Sequence, residues 1–162
     1  MKQIERIKLY ERLFKTQVKQ TTRGLEWTTD NNTRLINTQA LGRIKRSNVD
    51  MFLVLYAISH LGYLGNEQNA GAIIKTMENK KVIEITSYDV ELNVDRETNL
   101  TDRVFVMDQD FELDDLLIEV SDRVGVDYND WVEVVVTDVE YEELWKWDIQ
   151  ITNYIKARLY NG

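Results

Sequence analysis

This chain of 162 residues has no cysteine, no proline and a single histidine. Without cysteine it can form no disulfide, no thiolate zinc site and no thiol nucleophile. A triad or zinc cluster built on His60 would need partners that the sequence does not contain, so a satisfied core or edge histidine is the simpler reading. Proline at ordinary usage would number about eight. Its absence, with scarce alanine and frequent Ile, Asn, Asp and Glu, matches depletion of GC-rich codons. That pattern fits an AT-rich bacterial genome, or a phage or plasmid living in one. Long apolar runs are missing too: the longest, Met51–Ile58, suits a buried element and cannot span a bilayer. The opening residues Met1-Lys2-Gln3-Ile4-Glu5-Arg6 lack the apolar stretch of a signal peptide. A cytoplasmic site of action is expected, with no membrane partner.

What the chain does have is charge, divided unevenly. Residues 1–77 carry 12 Lys/Arg against 6 Asp/Glu, whereas residues 78–148 carry 6 against 22, a net of −16 within a total of −8. Such asymmetry speaks to partners and not to fold. A surface this acidic repels phosphate and attracts basic protein.

Hydrophobic period changes near Lys80. Before it, Ile4, Ile7, Tyr10, Phe14 and Val18 predict a helix over 3–19 with a basic outer side. The polar stretch Thr21–Thr33 reads as a loop pinned by Leu25 and Trp27. A second helix is expected around Arg34–Arg46, and a third, nearly all apolar, over Val49–Leu61 after a cap at Ser47 or Asn48. A fourth over 66–78 turns Ala70, Ile73, Ile74 and Met77 inward. After Lys80, Val82–Val94 looks extended, with a phase slip that predicts a turn or bulge at Thr86–Asp89. Arg103–Asp108 reads as a strand. Leu113, Leu116, Leu117, Val120 and Val124 mark an amphipathic helix, and Trp131–Glu140 a further strand. Trp145–Ile151 alternates like a strand but also fits helical spacing; helix is favoured for at least 152–160. The expected class is α+β: a helical basic region, 1–79, packed on an acidic region, 80–162, with a small, mainly antiparallel sheet and one or two helices.

Candidate chemistry is sparse. Asp108, Asp110, Glu112 and Glu119 fall at positions 1, 3, 5 and 12 of a would-be calcium loop, but Leu113 stands where the sharp turn wants glycine. Asp110 as a helix cap, with Glu112, Asp114 and Asp115 beside the positive helix end, explains them better. Gly62-Tyr63-Leu64-Gly65 is too short for a phosphate cradle. No cofactor, metal or catalytic residue is expected, and the chain does not read as an enzyme.

The segment Gln39–Arg46 invites a helix-turn-helix reading with Arg34, Arg43, Lys45 and Arg46 as a basic face. The apolar helix that follows offers no side chain for base edges. Those cations could hold phosphates without sequence preference, or form a solvated face. The acidic helix is the better candidate. Glu112, Asp115, Glu119 and Asp122 lie three and four apart, so they form one stripe, with only Arg123 nearby to relieve their repulsion. Glu140, Glu142 and Glu143 extend the acidic set. A row of fixed negative charges is electrostatically like a nucleic-acid backbone.

In size and composition the chain resembles small acidic anti-restriction and anti-CRISPR proteins of phages and mobile elements. No motif carries that resemblance, so it assigns no residues. It implies a non-catalytic inhibitor whose acidic surface occupies the basic nucleic-acid-binding groove of a host nucleic-acid-processing protein. One alternative is a phage or plasmid assembly protein whose oppositely charged parts pair between subunits. Another is a nucleic-acid-binding regulator acting through its basic helices.

Overall fold

The computed structural model describes residues 3–89, 94–95, 103–124, 130–137 and 145–147. The chain divides into two compact units, Met1–Lys80 and Lys81–Gly162. Five helices and two small sheets among the described residues make it an α+β protein.

Helix α1 spans Gln3–Phe14, shorter than its periodicity predicted. Lys15 turns left-handed (φ 49°), and Thr16 N–H donates to Glu11 O at 3.1 Å, a Schellman-type stop. Glu11 then uses its side chain to accept from Val18 N–H at 2.9 Å, fixing the exit. The inward face is also rotated from the expected one. Arg6, Leu9, Tyr10 and Leu13 are buried while Ile4 is exposed.

The stretch read as a loop is instead a three-stranded antiparallel meander: β1 (Lys19–Thr21), β2 (Gly24–Thr29) and β3 (Asn32–Asn37). The amino-terminal part is therefore not all helical, and Arg34 lies on a strand. The cause is a period of two hidden under polar composition. Leu25, Trp27 and Thr29 point inward and are buried, while Thr28 faces water. Asp30 and Asn31, both with positive φ, close the β2–β3 hairpin as a two-residue turn of the type whose twist suits paired strands. Leu25 and Trp27 do reach the core, as expected. Gly24 starts β2 at φ 133°, where an added Cβ would lie 1.9 Å from Ile36 O.

Asn37 ends β3 and immediately caps α2 (Thr38–Ser47), its Oδ1 accepting from Ala40 N–H at 2.9 Å. Asn48, left-handed, ends α2, and Asp50 caps α3 (Met51–His60) by accepting from Phe52 N–H at 2.8 Å. The expected cap at Ser47 or Asn48 is thus displaced to Asp50. Helix α3 is the centre of this unit: Met51 to Leu55, Ala57 and Ile58 are all buried, so its apolar residues need no single face. Helix α1 packs on α3, and α4 (Glu67–Met77) packs on both α2 and α3 with Ala70, Ile73 and Met77 inward. Between α3 and α4 the chain passes β3, where Gly65 forms a parallel bridge to Ile36 and its O accepts from Asn37 N–H at 2.8 Å.

Tyr10 sits at the aromatic heart, near Phe14, Trp27 and Phe52. Ser59 Oγ donates to Leu55 O, so Tyr10 O–H is the donor in its 2.6 Å bond with Ser59 Oγ.

In the second unit, β4 (Lys80–Asp89) pairs antiparallel with β7 (Asp130–Thr137), without interruption from Val82↔Thr137 to Asp89↔Asp130. No bulge interrupts Thr86–Asp89. Val82 and Ile83 point to opposite faces and are both fully buried, so alternation cannot report the phase of this strand. The short strand β5 (Val94–Asp95) pairs with the end of β4, and β6 (Val104–Asp108) pairs with β4 too. Strand β8 (Trp145–Trp147) pairs with β7, so the alternating pattern is the correct one there. The expected helix over 152–160 lies outside the described residues. Helix α5 (Leu113–Val124) follows β6, as predicted.

Candidate functional site

Helix α5 presents the acidic stripe. Leu116 and Val120 are completely buried, which turns the opposite face outward. There Asp115 and Asp122 are exposed, and Glu112 is exposed one residue before the first turn. Glu112, and not Asp110, stands at the position preceding the helix. Glu119 is half-buried and bonded to Arg123 Nε at 2.8 Å, four residues on. The Arg123 guanidinium also lies 4.5 Å from the centre of the Phe105 ring, so packing as well as charge holds it. One of the four stripe acids is thereby neutralised. For Glu112, Asp115 and Asp122, no cation lies in ion-pair range among the described residues.

The sequence reading passed over one member of this face. Ile118 is 41% exposed, three residues after Asp115 and four before Asp122, so it stands in the acidic row. Its apolar side chain out of phase with Leu116 and Val120 was the available signal. Glu140, Glu142 and Glu143 lie outside the described residues.

The calcium-type spacing has other contacts at its two ends. Glu119, its twelfth position, is committed to Arg123, and Asp108 O accepts from Phe111 N–H in a turn. Among the described residues, no group of three His, Cys, Asp or Glu is placed to hold a metal ion.

The four cations of the expected basic face lie on two elements, a strand and the helix that follows it. Arg34 is half-buried on β3 across from Trp27, and its Nε is buried with no hydrogen-bond partner among the described residues. Arg43, Lys45 and Arg46 are exposed on α2. The following helix, α3, is buried and cannot enter a groove, so the helix-turn-helix reading has no recognition element.

His60, at the end of α3, has its ring centroid 4.5 Å from that of Phe14 and 4.9 Å from that of Tyr56. Burial among these rings lowers its pKa; Asp30 opposes the shift and Arg34 adds to it. An open groove of about 470 Å³ runs beside Lys15, Thr16, Lys19, Glu26 and Thr28. Thr16 Oγ1 donates to Thr28 O at 2.7 Å within it.

Compared with protein-family models, curated proteins and solved structures, the chain matches none. Among the described residues, no helix is long and apolar enough to cross a membrane.

Proposed function

We propose that this protein acts in the cytoplasm by stoichiometric binding without turnover. Its acidic surface docks into a basic, nucleic-acid-binding groove of a host protein and obstructs it, in the manner of anti-restriction and anti-CRISPR inhibitors. The observation that supports this reading is the outer face of α5. Three carboxylates there stand exposed with no cation in ion-pair range among the described residues, and Ile118 stands among them. Like charges three or four apart cost a few tenths of a kcal/mol per pair, which a solvated structural face ordinarily relieves with lysine or arginine. Here that relief reaches only Glu119. Charge would steer encounter with a basic groove, and Ile118 would supply apolar contact once water is expelled.

The test is capture of partners from a host lysate on the immobilised protein, eluted with salt, followed by binding kinetics on the partner recovered. A variant carrying Glu112→Gln, Asp115→Asn and Asp122→Asn leaves the Glu119–Arg123 pair intact. It should keep its thermal stability and associate more slowly, and raising salt should slow the unmodified protein similarly. If the variant binds as tightly and as fast as the original, this face is only solvated and the reading fails.

A further inference from the structure

Two arginines of the amino-terminal unit are drawn towards its interior, and only one is answered. Arg6 is held by Asp50. Arg34, half-buried on β3, makes no hydrogen bond or ion pair among the described residues, and its Nε is buried without an acceptor. Drawing a charge out of water without a partner is unfavourable, so this guanidinium calls for an anion from outside the chain.

Two further orphaned groups share its face of the meander. Arg34 stands opposite Trp27 in the β2–β3 pair, so both side chains leave the sheet on the same side, with Cβ atoms roughly 4.5–5.5 Å apart. Thr29, two residues beyond Trp27, is diagonal to Arg34 at roughly 7–8 Å, within reach of a long side chain. Trp27 and Thr29 are 2% and 9% exposed, and Trp27 Nε1 and Thr29 Oγ1 are buried with no hydrogen-bond partner. The great majority of buried polar atoms in folded proteins are paired. Here three at neighbouring positions of one sheet face are not. Indole and guanidinium nitrogens only donate, and the threonine hydroxyl can donate as well, so one acceptor would serve all three.

Charge and shape choose that acceptor. One guanidinium balances one negative charge, and its planar fork matches the two oxygens of a carboxylate. Asp30, near enough to act on His60 as Arg34 also does, opposes a second negative charge, so a dianionic phosphate fits less well. Lys15 and Lys19, in the groove that Trp27 also borders, are exposed, and salt screens their attraction.

We propose that Arg34, Trp27 and Thr29 bind the carboxylate of a small organic acid. The Arg34 fork takes the two oxygens, and Trp27 Nε1–H and the Thr29 hydroxyl donate to their remaining lone pairs. The site lies within the amino-terminal unit and uses none of the acids of α5.

Magnetic resonance of the isotope-labelled full chain tests it, with acetate as the probe, titrated at constant ionic strength against chloride. The Trp27 indole N–H and Arg34 Nε–H signals, identified by their loss in Trp27→Phe and Arg34→Lys, should shift together along one saturable curve. The sole histidine gives an independent reading. A bound carboxylate offsets the Arg34 charge that helps to hold the His60 pKa down, so saturating acetate should raise it. Arg34→Lys keeps the charge and loses the fork, and its acetate affinity should fall by about tenfold or more. Thr29→Val changes no charge and removes one donor, and should weaken binding several-fold. Indole and guanidinium signals that stay put throughout the titration would mean that solvent alone answers these donors, and would overturn the proposal. Affinity unchanged in both variants would place the acetate elsewhere and overturn it too. Tighter binding of inorganic phosphate than of acetate would overturn the carboxylate assignment. No host partner enters any of these measurements, so they stand or fall separately from the inhibitor reading.

Discussion

Arg6 Nε reaches both carboxylate oxygens of Asp50, at 3.2 and 3.0 Å, across forty-four residues of chain. Both side chains are almost wholly buried, at 5% and 7% exposure. Asp50 at the same time accepts from Phe52 N–H as the cap of α3, and the Arg6 guanidinium stands 5.6 Å from the centre of the Phe52 ring. The pair therefore fixes where α1 meets the start of the central helix.

Removing the cation should be costly. Arg6→Met leaves a buried carboxylate without its counter-charge, and such losses run to about 3–5 kcal/mol. Adding Asp50→Asn to it keeps the cap and removes the charge, so the double variant should recover most of the loss. Urea unfolding of the single and double variants at neutral pH gives the comparison; equal stability of the two would contradict this account.

The pair also has a pH signature. Burial pushes the Asp50 carboxyl above the ordinary carboxylate range, outweighing Arg6 and the amides of Phe52 and Leu53, which favour the charged form. The folded state thus holds this proton more tightly than the unfolded chain. Its contribution to stability is complete below the ordinary aspartate pKa of about 3.9 and is lost as pH rises through the higher folded value. Relative to Asp50→Asn, the unmodified protein should lose stability across that acidic window as pH rises. A difference that grows with pH would carry the wrong sign.

His60 titrates in the opposite sense. Its lowered pKa means that the unfolded chain takes the proton first, so its contribution is complete above the ordinary histidine value of about 6.5. That contribution is lost as pH falls through the lower folded value. His60→Gln should flatten this part of the stability profile and leave partner binding intact. Loss of binding in a folded His60→Gln protein would count against the non-catalytic assignment.

The glycines divide into two kinds. At Gly65 an added Cβ would lie 1.9 Å from Leu35 O, which is backbone and cannot step aside. Gly65→Ala should cost at least about 1–3 kcal/mol, as overpacking does. At Gly71 the obstacle is the mobile end of Arg43, and alanine favours a helix interior by up to about 1 kcal/mol over glycine. Thermal unfolding should show Gly65→Ala melting well below the original and Gly71→Ala at or above it.

How far the fold could be read from residues depended on whether burial left a period. Leu116 and Val120 recur against exposed Asp115 and Asp122, so α5 and its acidic face were legible, with Arg123 as the nearby cation; that it pairs with Glu119 came from the structure. Helix α3 was legible because an unbroken apolar run has few other uses. The meander was not, since Thr28, Thr33 and Asn32 on its wet side made alternation look like loop composition. Arg6 misled in another way: a cation at the head of the Leu9, Tyr10, Leu13 stripe disguised the inward face of α1. Its partner Asp50 lies too far along the chain for any local pattern to find.

Asn37 has a consequence for how the amino-terminal unit opens. Its N–H holds Gly65 O, its Oδ1 holds the first turn of α2, and its position in β3 pairs it with Gly24. Meander, helix start and returning chain are joined at one residue. Fraying of the sheet at Asn37 therefore loosens the cap of α2 and the anchor before α4 together.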